Sequence, residues 1–363
     1  MGWKAVLGLG ALGVAGSTIL AGAGLGFAGY GLYRRLRMGE SLHDKTVLIT
    51  GGSRGLGLVL AHEFARQGVR LVICARDRAE LQRAESSLVS QGAQVFAITC
   101  DVTVQEEVQS MVAQATARFG SIDILVNNAG VITVGPLESQ TITDFQEAMD
   151  VMFWGTVYPT LAVLPQMKRR GQGRIANITS IGGKVSIPHL LPYCSAKFAA
   201  VGFSEGLRAE LAKSAVKVTT VVPGLMRTGS HINAYFKGNN QQEYTWFSMG
   251  ATLPLVSMDA RRAARRIVAA VRRGQAEVIL TPQAKALALA HGVAPGLTAD
   301  LLGLVNRVLP EPGDASTRHL GKNSETALTR SFLTKLGQDA AQEFNQQSPS
   351  GGAGDPGAAA ALA

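Results

Sequence analysis

The sequence predicts an α/β fold, a doubly wound three-layer sandwich on a seven-stranded parallel sheet. Seven short apolar runs, rich in β-branched residues and nearly continuous rather than alternating, have the pattern of strands covered on both faces. Amphipathic stretches alternate with them, and strand–helix alternation sustained this long implies parallel crossover units. Hydrophobic residues make up 46% of the 363-residue chain and charged ones 17%, enough for a full core. That composition excludes a disordered or collagen-like chain despite 42 glycines.

In order, the strands are expected at Thr46–Thr50, Arg70–Ala75, Gln94–Thr99, Ile124–Asn127, Arg174–Thr179, Lys217–Val222 and Glu277–Leu280. Helical patterns occupy Gly55–Gln67, Ala79–Ser90, Val104–Phe119, Thr143–Arg169, Pro192–Ser214 and Asp259–Arg273. Residues 41–283 are therefore expected to form one domain. Residues 284–310, Ala- and Leu-rich and broken by Gly292, Pro295, Gly296 and Gly303, read as an amphipathic helical extension. Residues 311–363 read as a polar, largely disordered tail with a weak helix at Glu325–Gln342.

Residues 1–40 differ from the rest. No charge falls between Ala5 and Tyr33, and then Arg34, Arg35 and Arg37 arrive together. As a helix that stretch would be roughly 40 Å long, enough to cross a hydrocarbon core of about 30 Å with tilt. Its many glycines weaken it, but Gly22 and Gly26 offer a small-xxx-small contact face. A cleaved signal peptide is the competing reading, but its basic end would precede the apolar run, where only Lys4 stands. The expectation is an uncleaved membrane anchor with the following domain facing the cytoplasm.

The formal charge of +9 suits nucleic acid, an anionic membrane or a phosphorylated cofactor. Aromatic content of 6% without a basic–aromatic repeat argues against nucleic acid. Cys74, Cys100 and Cys194 are scattered, so neither a disulfide framework nor a zinc site is expected, and the six histidines show no metal-ligand spacing. Arg261, Arg262, Arg265, Arg266, Arg272 and Arg273 form a basic helix, read as a solvated face.

The chemistry lies in four motifs. Thr50-Gly51-Gly52-Ser53-Arg54-Gly55-Leu56-Gly57 follows the first strand and opens a helix, so its backbone can turn sharply and approach a pyrophosphate at the helix N-terminus. Asn127-Asn128-Ala129-Gly130 follows the fourth strand. Ser180 ends the fifth strand, 13 residues before Tyr193 in Tyr193-Cys194-Ser195-Ala196-Lys197. Pro223-Gly224 follows the sixth strand, with Thr228 four residues on. Tyr193 and Lys197 share one helix face, and an ammonium beside a phenol lowers its pKa from about 10 toward working pH. Tyr193 then suits general acid–base work, while Ser180 holds the charge developing on a substrate oxygen.

In this order the motifs resemble the short-chain dehydrogenase/reductase family, in its GxxxGxG, NNAG and YxxxK subgroup, over about Asp44 to Thr281. The resemblance implies a Rossmann-type fold, hydride transfer from the pro-S face, and Ser180, Tyr193 and Lys197 as catalytic residues, Lys197 also contacting the nicotinamide ribose. It implies a cofactor site of Gly51, Ser53, Arg54, Gly55, Leu56, Gly57, Arg76, Asp101, Val102, Asn128, Ala129, Gly130, Tyr193, Lys197, Pro223, Gly224 and Thr228. Pairing of family-like helices into a homodimer or homotetramer is also implied.

Relatives using NAD place an Asp at the end of the second strand; here Ala75 stands there, followed by Arg76, with Arg54 in the glycine loop. Two guanidiniums suit a 2′-phosphate, so NADP(H) is expected over NAD(H). One position departs from the family: Met152 stands in Val151-Met152-Phe153-Trp154-Gly155 where an Asn supports a proton relay. The aromatic run within Asn233–Val256 reads as a hydrophobic lid, and His231 as a solvated loop residue. The expected activity is NADPH-dependent reduction of a hydrophobic, lipid-like ketone or aldehyde, or oxidation of the corresponding alcohol. The alternative is a catalytically impaired NADP-binding scaffold or redox sensor.

Overall fold

A computed structural model describes residues 40–254, 256–313, 317–330 and 334–347. The anchor expected over 1–40, apart from Glu40, and the final stretch 348–363 lie outside them. Among the described residues, no helix is long and apolar enough to cross a membrane.

The central sheet contains β1 (Thr46–Thr50), β2 (Arg70–Ala75), β3 (Gln94–Thr99), β4 (Ile124–Asn127), β5 (Gly173–Ile178), β6 (Val216–Val222) and β7 (Glu277–Ile279). Its order is β3-β2-β1-β4-β5-β6-β7 and every pairing is parallel. This is the seven-stranded, doubly wound sandwich expected from the sequence. β1 and β4 are buried along their whole length because helices cover both faces, which is why their sequences do not alternate. After β3 the chain crosses back to place β4 beside β1. That reversal opens a crevice at the carboxyl ends of β1 and β4, where ligands bind in such sheets.

Helices α1 (Gly55–Ala65), α2 (Arg78–Val89) and α3 (Gln105–Phe119) connect the first four strands. Asp77 caps α2 by accepting from the Glu80 N–H, and Leu81, Ala84 and Leu88 form its buried stripe. The single helix expected over 143–169 is instead α4 (Ile142–Met149), a π-helical turn (Asp150–Trp154) and α5 (Gly155–Arg169). α6 (Leu191–Glu210) leads to β6, and α7 (Asn240–Thr252) carries the aromatic run. α8 (Ala260–Arg272) buries Ala263, Ala264, Ile267, Val268 and Val271, leaving several of its arginines outward.

The helical extension resolves into two helices, α9 (Pro282–Val293) and α10 (Pro295–Asn306), meeting at Ala294. The expectation of a largely disordered tail from residue 311 fails at its centre. His319–Leu320 pairs with Tyr235–Phe236, which in turn pairs with Thr133–Val134, making a small second sheet. The following α11 (Lys335–Glu343) packs on α7 and on the turn after Thr228; a Cβ on Gly229 would lie 2.4 Å from Ala341. Buried Ala340, Ala341 and Phe344 supply the apolar contacts that a mainly polar composition conceals.

Candidate active site

A cavity of about 660 Å³ opens at the carboxyl edge of the sheet. At one end it is lined by Arg54, Gly55, Leu56, Gly57 and Arg76, and at the other by Leu225, Trp246, Phe247 and Val256. Ser180, Tyr193 and Lys197 line the same cavity, as do Asn128, Ala129, Gly130, Pro223, Gly224 and Thr228. The separate sequence motifs thus converge on one space. Gly51, Ser53, Asp101 and Val102, also expected at the cofactor site, do not line it. Gly51 packs against Ala129, whose Cα a Cβ on it would meet at 3.0 Å, and Ser53 is buried with its Oγ donating to Glu80 Oε2 at 3.2 Å. Val102 is buried in the sheet-face core and would touch a Cβ on Gly155 at 2.8 Å. Asp101 accepts from Thr103 N–H and Oγ1.

The glycine loop fits a dinucleotide's pyrophosphate on its own geometry. Gly51 and Gly55 have φ of +62° and +54°, and a Cβ on Gly57 would lie 2.0 Å from Gly51 O. Arg54, at the N-cap of α1, makes no side-chain cap bond. First-turn N–H groups have no intrahelical acceptors; Gly55's is taken by Phe344 O at 2.8 Å, and an anion here meets the remaining donors and the positive end of the helix dipole. Asn128 fastens the loop to β4: its Nδ2 donates to Thr50 O (3.1 Å) and Gly51 O (3.0 Å), while Thr50 Oγ1 accepts from Asn128 N–H at 3.0 Å.

Tyr193 and Lys197 sit on the first turns of α6, with Lys197 Nζ 5.8 Å from the Tyr193 ring centre. Their electrostatics differ from the expectation. Burial pushes the Tyr193 phenol up to about 12, against an opposing hydrogen bond from Ser180. Burial also brings Lys197 down to about 8, and its Nζ donates to Ile178 O at 2.9 Å. The phenol is therefore held protonated, the state a general acid requires. Ser180 Oγ accepts from Gly182 N–H at 3.0 Å, which orients the hydroxyl toward Tyr193's side of the cavity.

Met152 lies in the π turn, buried with Val151, Ala148 and Ala196 against Tyr193. A Cβ on Gly130 would lie 3.8 Å from Met152 Cγ and 3.9 Å from Lys197 Nζ, so the two side chains flank the same glycine. Each expected phosphate-binding guanidinium has a carboxylate neighbour: Arg54 Nη1 reaches Glu80 Oε1 at 2.7 Å, and Arg76 Nη1 lies 3.8 Å from Asp101 Oδ2.

The segment expected as a lid is built around buried charge. Glu243 accepts from Trp246 Nε1 and pairs with His189 Nδ1, both at 2.7 Å. Lys237 Nζ meets Asp144 Oδ2 at 2.6 Å, where Asp144 also closes the capping box of α4 with Thr141. His231 is not a solvated loop residue but is 2% exposed, and burial lowers its pKa to about 4. Sequence reasoning missed other wall residues, notably Gln283, Ala284 and Leu287 of α9 and Gln346 beyond α11. Outside the motifs, only the apolar spacing of α9 hinted at them.

The short chain dehydrogenase family model matches residues 45–236. The chain is 34% identical over 257 residues to a dehydrogenase/reductase SDR family protein 7-like of Anopheles gambiae, covering 69% of this chain and 79% of that protein. It is 35% identical over 251 residues to the putative oxidoreductase SadH of Mycobacterium tuberculosis, covering 68% and 90%. A crystal structure of a short-chain dehydrogenase/reductase from Burkholderia phymatum in complex with NAD superposes with a TM-score of 0.66 at 22% identity, over 71% of this chain and 96% of that one. That likeness establishes the fold. With the matching motifs gathered at one crevice, the chain belongs to the short-chain dehydrogenase/reductase family and is an NAD(P)-dependent oxidoreductase.

Proposed function

We propose that this chain is a membrane-anchored reductase that uses NADPH to reduce a hydrophobic ketone or aldehyde, or oxidises the matching alcohol. The observation that carries this reading is the position of Ser180, Tyr193 and Lys197, between a glycine-lined end and an apolar end of one cavity. The bound nicotinamide supplies the hydride. Ser180 positions the carbonyl oxygen, and Tyr193, protonated up to about pH 12, donates a proton to it. Lys197 adds positive charge beside the phenol as long as its own proton is held.

Arg54 and Arg76 on the cavity wall, and the absence of an acidic side chain at Ala75, favour a 2′-phosphate. Glu80 and Asp101 then serve as resting partners that the phosphate displaces. Trp246, Phe247 and Val256 at the substrate end favour an apolar substrate. The uncharged stretch Ala5–Tyr33, followed by Arg34, Arg35 and Arg37, favours an anchor with the domain on the cytoplasmic side. Exposed Trp154, Leu161 and Phe198 on α5, α6 and the π turn favour pairing of copies into a homodimer or homotetramer.

Met152, which flanks Gly130 together with Lys197, supports a second reading, an idle NADP-binding scaffold. The test is oxidation of NADPH by the full chain with a panel of apolar ketones and aldehydes. Turnover faster with NADPH than with NADH, falling by about 10²- to 10⁴-fold in Tyr193→Phe, is expected. Binding without turnover in both proteins selects the scaffold.

A further inference from the structure

Residues 344–346, directly after α11, do not trail away from the domain. Three consecutive ones, Phe344, Asn345 and Gln346, cross the mouth of the crevice and hydrogen-bond to both of its walls. On the glycine-loop side, Phe344 O accepts from the Gly55 N–H at 2.8 Å, one of the first-turn donors of α1. Asn345 Nδ2 donates to Ser53 O (2.8 Å) and Glu80 O (3.0 Å), and its Oδ1 accepts from Arg83 Nε at 2.8 Å. On the opposite side, Gln346 Nε2 donates to Thr228 O at 3.2 Å, while Asn233 Nδ2 donates to Gln346 O and Oε1, both at 2.8 Å.

The segment lies directly over the pyrophosphate cradle. A Cβ on Gly55 would stand 2.6 Å from Gln346 Nε2, and Gln346 is itself a wall residue of the cavity. Asn345 takes a left-handed φ of +58°, which turns the chain across the loop. The flanking anchors are of a different kind. Phe344 belongs to the sheet-face core, whereas the contacts of Asn345 and Gln346 are hydrogen bonds that water can replace. A hinge between a fixed Phe344 and a releasable Gln346 follows from that contrast.

We propose that Asn345 and Gln346 form a strap across the dinucleotide crevice, which must lift from Ser53, Glu80, Thr228 and Asn233 for NADPH to enter or leave. The inference rests on the reading that this crevice holds the dinucleotide. A gate of this kind slows association and dissociation together and changes affinity little. An obstructing plug would weaken affinity through slow association alone, and a simple binding arm would strengthen it through slow release alone.

The experiment measures NADPH association and dissociation by stopped-flow fluorescence on the full chain and on the Asn345→Gly/Gln346→Ala double variant. Glycine keeps the left-handed turn while removing the side-chain bonds, and Phe344 remains to hold α11. A thermal melt within a few degrees of wild type certifies the fold, and a single Gln346→Ala variant replaces the double one if it does not. Both rates should rise about tenfold, with Kd changing by less than about threefold. Amides at 344–347 should exchange hydrogen faster in the variant. Unchanged rates, or a change confined to one rate, overturn the strap while leaving the dinucleotide reading intact. Failure of the wild-type chain to bind NADPH overturns that reading and the strap with it.

Discussion

Tyr193 and Lys197 show how much of a site a spacing conveys. Four residues apart on one helix, they were expected to share a face, and both line the crevice. Their protonation was not legible, because it depends on burial supplied by distant parts of the chain. That burial sets Tyr193 near 12 and Lys197 near 8, so the lysine is the group that titrates in the working range. Reductive kcat/KM should therefore hold through neutral pH and fall above about pH 8 as the Lys197 ammonium is lost, well before Tyr193 ionises. A pH–rate profile checks this, and Lys197→Arg should remove the break near 8 because a guanidinium keeps its proton. Folding linkage has its own sign here. The folded pKa lies below the usual 10.5, so the unfolded chain binds more protons between about 8 and 10.5, and this residue's contribution to stability rises with pH across that window.

At the scale of elements, the central strands were readable because burial on both faces writes itself as unbroken apolar runs; every expected strand matches an observed one to within a residue or so. The π turn at Asp150–Trp154 was not, since helical periodicity is nearly the same on either side of one inserted residue. Nor was the lid's scaffold, which depends on charges meeting across long sequence separations. Lys237 and Asp144 are 3% and 5% exposed and 93 residues apart. Burial alone would raise the Asp144 pKa, but hydrogen bonds from Lys237 and Thr141 outweigh it and the net shift is downward. Asp144 thus adds stability at neutral pH that is lost as pH falls through its lowered pKa. Lys237→Met strands a buried carboxylate and should cost about 3–5 kcal/mol in denaturant unfolding. Adding Asp144→Asn should restore much of that loss, since no unpaired charge then remains, and equal destabilisation in the single and double variants would show that the pair does not brace the lid.

For the whole molecule, the most telling asymmetry is between the two ends of the crevice. The glycine-loop end is bridged by the segment at 344–346, while at the other end Gln283, Ala284 and Leu287 of α9 lead from the cavity wall toward a helical pair left largely bare. Leu289, Val293, Leu297, Leu301, Leu304 and Val308 are all more than half exposed, from 53% to 83%. The sequence announced an amphipathic extension here, but an amphipathic pattern does not say whether its apolar stripe faces the domain or away from it. On the proposed membrane-anchored reading, this outward stripe beside the cavity admits an apolar substrate directly from a bilayer. Burying an exposed leucine in hydrocarbon is worth roughly 1.5–3 kcal/mol. Leu297→Glu/Leu301→Glu should therefore lower the NADPH-dependent reduction of a long-chain ketone dissolved in phospholipid vesicles by about tenfold or more. Reduction of a short, water-soluble ketone should be unchanged, because neither leucine lines the cavity. Equal losses on both substrates would mean that the two helices stabilise the fold rather than face the membrane. No loss on either would mean that the substrate reaches Tyr193 from water, past α7.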